Sequence, residues 1–173
     1  AIYRAVAYNE PLMARNFTVS GDGIEHPSNF IVKIGTSQQE LIDAAGGFKN
    51  GIHPEKIISG GPMMGFAMPD ANVPVCKANN ALTILAKDEV AIAQEQMTEC
   101  LRCGRCADVC PEGLIPQQMA QAALRGNLDR YENKLKGLEC VACGSCTFIC
   151  PAKRPLMQLF KQTKAEIMAA KRK

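Results

Sequence analysis

Residues 100–111, CLRCGRCADVCP, and 140–151, CVACGSCTFICP, decide how this chain is read. Each places its cysteines as C-x2-C-x2-C-x3-C and follows the last with proline. The first run has Cys100, Cys103, Cys106 and Cys110 before Pro111; the second has Cys140, Cys143, Cys146 and Cys150 before Pro151. In bacterial two-cluster iron-sulfur proteins, three closely spaced thiolates of such a run hold one cluster and the fourth reaches across to the other. The spacing therefore predicts two 4Fe-4S clusters. One rests on Cys100, Cys103, Cys106 and Cys150, the other on Cys110, Cys140, Cys143 and Cys146. Paired C-x2-C steps also build zinc sites or, in an oxidising compartment, disulfides. Zinc needs four ligands in two pairs, which accounts for neither the third cysteine step nor the proline.

Gly104 and Gly144 occupy matching places inside the runs, where the chain must turn tightly and a backbone without Cβ is useful. Amides turned inward there can donate to sulfur and stabilise the extra charge of the reduced state. Twenty-nine residues lie between Cys110 and Cys140, and they read as mostly helical. Pro116 suits the first turn of a helix running to Arg125-Gly126, and Asn127 caps a second stretch with Leu128, Tyr131 and Leu135 on one face. Compact ferredoxins join their repeats by little more than a turn, so a helical ferredoxin-like domain is the better match. Lys87 to Glu99 reads as a helical approach, which sets a boundary between domains 1–87 and 88–173.

After Cys150, Pro155 starts a last helix with Leu156, Leu159, Phe160 and Ile167 on its apolar face. Lys161, Lys164, Lys171, Arg172 and Lys173 are expected along its exposed side and end, where cations suit the negative pole of a helix. They read first as a solvated face, with docking to an acidic partner or anionic lipid as the alternative. Arg102, Arg105, Lys153 and Arg154 lie close to the cysteines in sequence and can attract an acidic donor or raise a potential.

The first domain has a different texture. Residues 12–20 (LMARNFTVS) and 29–34 (NFIVKI) read as a hairpin, and Ser37-x-x-Glu40 as a capping box that opens a helix ending at Gly46-Gly47. Lys56–Ser59, Val73–Lys77 and Ala81–Leu85 are strand candidates, with GGPMMG at 60–65 as a loop. Two strands, a helix and further strands make a small α+β module that a β-grasp arrangement satisfies. GGPMMG matches no phosphate-loop pattern and reads as a structural turn. Met63, Met64, Phe66 and Met68 read as core or interface filler, Cys76 as a free buried thiol, and His26 and His53 as solvated turn residues.

The 173 residues are 47% hydrophobic and 21% charged, the balance of a folded globular chain. A net charge of +3 is too small to argue for nucleic acid, although seven basic residues face one acidic residue in 151–173. No apolar run approaches the length of a membrane span. The opening AIYRAV carries neither an initiator Met nor the basic-then-apolar run of a signal peptide. This is the expected look of a chain that continues upstream, in a reducing cytoplasm.

With these residues in place, the sequence resembles the RnfC family, the peripheral C subunits of Rnf-type ion-translocating ferredoxin:NAD oxidoreductase complexes. The likeness rests on IYRAV, FTVSGDGIEHPSNFIVKIGT, SGGPMMG and VPVCKANNALTIL, then on CLRCGRCADVCPEGLIPQQ and CVACGSCTFICPAKRPLMQ. The resemblance implies a soluble-ligand-binding β-grasp domain followed by a helical ferredoxin domain. It further implies an upstream part, outside this chain, that carries FMN and NAD(H). Its implied partners are the other subunits of a membrane-bound electron-transport complex, with a ferredoxin-like donor or acceptor reached directly or through them. The implied location is peripheral, on the cytoplasmic face of the bacterial inner membrane, with ion movement left to membrane subunits. A cobalamin-reductase-like flavin and iron-sulfur protein shares this layout and stands as the alternative, together with a zinc-binding docking module. No complete dinucleotide fingerprint is present, so no hydride chemistry and no catalytic residue is assigned within the chain.

Overall fold

In the computed structural model, residues 1–51 and 53–172 are described. They divide into two compact units, Ala1–Asp88 and Glu89–Lys173. The first unit opens with helix α1 (Ile2–Tyr8), which buries none of its side chains. A mixed five-stranded sheet follows, built from β1 (Ala14–Ser20), β2 (Ser28–Lys33), β3 (Lys56–Ser59), β4 (Phe66–Met68) and β5 (Ala81–Leu85). The strand order is β2-β1-β5-β3-β4. The β1–β5 pair is parallel and the other neighbours are antiparallel. Period-two alternation sends Phe17 and Val19 of β1 inward, whereas Leu82, Thr83 and Ile84 of the central β5 are all buried. Helix α2 (Gln38–Ala44) crosses between β2 and β3 and adds Leu41 and Ile42 to the same core. Each such fully buried aliphatic or aromatic side chain contributes about 1.5–3 kcal/mol.

Ser37 is the N-cap of α2, its hydroxyl accepting from the Gln39 amide at 3.3 Å. The amides at this helix start also donate to the chain at 71–73: Gln38 to the Val73 carbonyl and Gln39, shared with Ser37, to that of Ala71, both at 3.0 Å. This corrects the expected strand at Val73–Lys77. Pro74 removes a donor from that segment, which keeps only an isolated antiparallel bridge to Ser37, with Val75 accepting from the Gly35 amide and donating to the Thr36 carbonyl, while the Val73 carbonyl serves the helix start. The fourth strand forms earlier, at Phe66–Met68, directly after the glycine turn. In that turn Gly65 donates to Gly61 at 2.8 Å, and a Cβ on Gly65 would meet Ile58, Gly61 and Ser59 at 2.5–2.7 Å. Of the apolar residues around it only Met68 packs on the core; Met63, Met64 and Phe66 are exposed. Cys76 is likewise exposed rather than buried, because Val75 takes the inward position. His26 and His53 are exposed, as turn residues are expected to be.

The second unit is helical: α3 (Glu89–Glu95), α4 (Arg105–Asp108), α5 (Pro116–Leu124), α6 (Ser145–Phe148) and α7 (Leu156–Ala170). Pro116 stands in the first turn of α5, where its missing amide costs nothing. Asn127 does cap the next stretch, its side-chain oxygen accepting from the Arg130 amide at 3.0 Å. That stretch, Arg130–Lys134, is a π-helical turn instead of the expected α-helix. Leu114, Met119, Tyr131, Leu156, Phe160 and Ile167 form the core, with α5 packed on α7. The first turn of α7 is tied down by Thr147, whose hydroxyl oxygen accepts from the Met157 amide at 2.8 Å.

The basic face of α7 differs from the expected solvated row. Lys164 is partly buried and donates to the carbonyls of Leu138 (2.7 Å) and Cys140 (3.2 Å), and Lys171 pairs with Glu132. Lys173 lies outside the described residues.

Candidate metal centres

The two cysteine runs fold alike. Arg102 and Ala142 adopt left-handed backbone at φ 54° and 52°, and Gly104 and Gly144 follow at 81° and 84°. Past the prolines, Gly113 and Lys153 turn the same way, at 62° and 54°. Helices α4 and α6, and the starts of α5 and α7, then recur at the same offset of forty residues. Left-handed backbone is costly for residues with a Cβ, so its presence at Arg102, Ala142 and Lys153 marks backbone held by its surroundings. Each run curls so that its first three cysteines face one hollow, while the fourth leaves in the other direction.

Two recesses result. One is lined by Cys100, Cys103, Cys106 and Cys150 and has a volume of about 810 Å³. Its remaining wall includes Arg102, Gln117, Gln121, Arg125 and Arg154. The other is lined by Cys110, Cys140, Cys143 and Cys146, with Leu114, Met119, Met157 and Phe160 closing around it, and leaves only about 20 Å³. Each recess therefore combines three thiols of one run with the last thiol of the other. Arg102 and Arg154 are in the first wall, while Arg105 and Lys153 are in neither.

All nine cysteines are free thiols. Burial pushes the Cys146 thiol up to about 11, with the Cys140 thiolate adding to it. Cys106 is also raised, chiefly by burial, with smaller contributions from Cys100 and Cys150. Cys143 is lowered, because Ser145, 3.4 Å away, stabilises its thiolate by hydrogen bonding. Backbone amides already point at sulfur: Leu114 donates to Cys110 and Ala142 to Cys140, both at 3.4 Å. Such N–H to S bonds stabilise negative charge on the ligand sulfurs.

The donor sets fit iron-sulfur clusters. Each is four thiols without histidine, the soft ligation such clusters take. The first recess has ample room, whereas the second offers its four thiols and the Leu114 and Ala142 amides around a much narrower space. Among the described residues no three or more His, Cys, Asp and Glu side chains are gathered as a site for a metal ion.

Gln117 and Lys164 were not read from sequence as parts of these centres, nor Tyr131 as a neighbour of the second in the same core. The Cys106 thiol donates to the Gln117 side-chain oxygen at 3.3 Å. Tyr131 is wholly buried, with its hydroxyl unpaired among the described residues. A buried hydroxyl without a partner costs about 1–3 kcal/mol. Only IPQQ, around Gln117, carried any signal in the sequence.

Two all-thiol recesses, crossed between two runs, define a dicluster iron-sulfur domain. Residues 92–151 match the 4Fe-4S dicluster domain family and residues 16–67 the SLBB domain family. Along 98% of its length the chain is 43% identical to the C subunit of the proton-translocating ferredoxin:NAD(+) oxidoreductase complex of Clostridium ljungdahlii, covering 36% of that relative. It is 44% identical, again over 98% of its length, to the C subunit of the ion-translocating oxidoreductase complex of Yersinia pestis, covering 27% of it. The corresponding protein of Rhodobacter capsulatus is 42% identical over 75% of the chain, which covers 24% of that protein. Over these residues the chain is thus a homologue of RnfC, the C subunit of the ion-translocating oxidoreductase complexes, and it spans about a quarter to a third of the length of these relatives.

Proposed function

We propose that this segment relays single electrons through two 4Fe-4S clusters within a membrane-associated, ion-translocating ferredoxin:NAD oxidoreductase complex of the Rnf type. The observation that carries the reading is the crossed partition of the thiols. Cys100, Cys103, Cys106 and Cys150 hold the first cluster; Cys110, Cys140, Cys143 and Cys146 hold the second. When bound, such clusters take up and release one electron at a time. The protein's part is to position and insulate them. Amides of Leu114 and Ala142 support the ligand sulfurs, and Lys164 fixes the carbonyl of Cys140. Leu114, Met119, Met157 and Phe160 keep water from the second site.

The sheet unit, residues 1–87, is read as a β-grasp module attached to the cluster domain, residues 88–173. Support comes from the order β2-β1-β5-β3-β4, with first and last strands parallel at the centre and one helix crossing after the hairpin. FMN and NAD(H) belong to a part of the protein upstream of these residues, which converts hydride into single electrons. The other subunits of the complex are the partners and carry ion movement, with a ferredoxin-like protein as donor or acceptor. The protein sits peripherally on the cytoplasmic face of the bacterial inner membrane. Among the described residues no helix is long and apolar enough to cross a membrane.

The test is an anaerobic preparation of the full-length protein with iron and sulfide counts and an EPR-monitored reduction. A brown protein that bleaches with dithionite and shows two cluster signals is expected. A colourless, zinc-containing protein without reducible absorption overturns the reading. In the assembled complex, NADH or reduced ferredoxin should reduce both clusters. Intact clusters that neither reductant reaches would make them architecture instead of a relay.

A further inference from the structure

Gln117 stands half-buried in the wall of the first recess, and its side chain already touches a ligand sulfur. The Cys106 thiol donates to its amide oxygen at 3.3 Å. Gln117 is the second residue of α5, directly after Pro116, which fixes the helix start that carries it. The forty-residue offset that relates the two cysteine runs carries this position onto Met157, the second residue of α7. Met157 lines the second recess. At one equivalent place, then, the first site is walled by an amide and the second by a thioether. The amide has two N–H donors and the thioether has none.

The contact between Cys106 and the Gln117 oxygen belongs to the free thiol. A sulfur bound to iron is a thiolate and only accepts, so an oxygen facing it would set two acceptors against each other. A half-turn of the terminal amide puts nitrogen where the oxygen was, and this torsion is broad and close to two-fold in glutamine. The same side chain, in the same place, then offers the sulfur an N–H.

We propose that the side-chain amide of Gln117 donates a hydrogen bond to the Cys106 sulfur when the first cluster is bound, and raises that cluster's reduction potential. The proposal rests on the ligand sets given above. Donation to a ligand sulfur stabilises the reduced form, which carries one more negative charge. Met157 has no proton to donate at the matching place, so this contribution falls on the first potential alone.

The experiment compares wild-type full-length protein with Gln117→Met, both purified anaerobically. The substitution gives the first wall the residue that the second already has. Cys103→Ser and Cys143→Ser identify the EPR signals of the first and second sites. With iron and sulfide counts unchanged, Gln117→Met should shift the one-electron equilibrium of the first signal about tenfold toward the oxidised form, or about 59 mV. The second signal should stay in place. A second measurement uses protein whose glutamine side-chain amides carry heavy nitrogen. Pulsed EPR of the reduced first cluster should show a coupling to that label in wild type, and Gln117→Met should remove it. An unchanged first potential with both clusters intact, or a coupling that is absent from wild type or survives in Gln117→Met, overturns the proposal while leaving the ligand sets standing. A Gln117→Met protein that keeps only its second cluster makes the side chain a structural support and overturns the donor role. Full-length wild-type protein that holds no cluster overturns the ligand sets, and the proposal with them.

Discussion

The two cysteine-lined recesses share their spacing and their turns, and differ in almost everything around them. The first is wide and polar, with Gln117, Gln121, Arg102, Arg125 and Arg154 in its wall, and Cys100 and Cys103 are exposed. The second is narrow and apolar, and Cys146 is buried. A run of four cysteines and a proline dictates a local loop. Access to water and the effective dielectric come from what packs on that loop, here the side of α7 that carries Met157 and Phe160. Because low dielectric amplifies each charge and each hydrogen bond, equal ligands in these two settings are expected to have unequal potentials and unequal lability.

The harshest way to break the comparison is to remove a crossing ligand. Cys110→Ser should cost the cluster built on Cys140, Cys143 and Cys146, roughly halving the iron, although Cys110 belongs to the first run. Loss of the other EPR signal instead would show that each run holds its own cluster. Next comes the apolar wall. Phe160→Ala should destabilise the second unit by about 3–5 kcal/mol in chemical denaturation, with the second cluster lost first on exposure to air. Equal loss of both clusters would show that the apolar wall protects them alike.

Smaller changes sharpen the picture. Gly137→Ala places a methyl where the Tyr131 ring lies, and should cost about 1–3 kcal/mol by overpacking, read from the same denaturation curves. Lys164→Met removes the donor to the Leu138 and Cys140 carbonyls and should cost about 1 kcal/mol, together with faster cluster loss at the second site only.

The mildest effect is one of pH on metal-free protein. In the folded state the Cys146 thiol is raised to about 11 from its ordinary 9, so the unfolded chain gives up this proton first. The associated stability is therefore complete below about pH 9 and is lost as pH rises toward 11. Circular dichroism melts across that range should show a falling midpoint, and Cys146→Ala should flatten the fall. A midpoint rising with pH would contradict the burial argument.

Much of this was legible in advance, for identifiable reasons. The cysteine runs report on chemistry that needs those atoms at those intervals. The hairpin of β1 and β2, the N-cap at Ser37 and the helix start at Pro116 follow from local rules that hold wherever they occur. The misreadings share a cause as well. Val73–Lys77 has strand composition, but Pro74 removes a donor and the segment makes a single bridge to Ser37 where a ladder was expected. Cys76 and Val75 are one residue apart, and local pattern did not say which faces inward. Lys164 looked like one more cation on a polar face until α7 was set against the second cysteine run. The π-helical turn at Arg130–Lys134 has no composition of its own that separates it from an α-helix.

By itself, then, the sequence determined the spacing and type of the candidate ligands and the tight turns at Gly104 and Gly144, because thiol spacing and glycine turns act over a few residues. Tertiary structure alone decided that one recess is open and the other closed, that Lys164 serves a cysteine carbonyl, and that the Tyr131 hydroxyl is buried without a partner among the described residues. These depend on which elements meet across gaps of about twenty-five residues or more, where no local rule reaches and packing density decides.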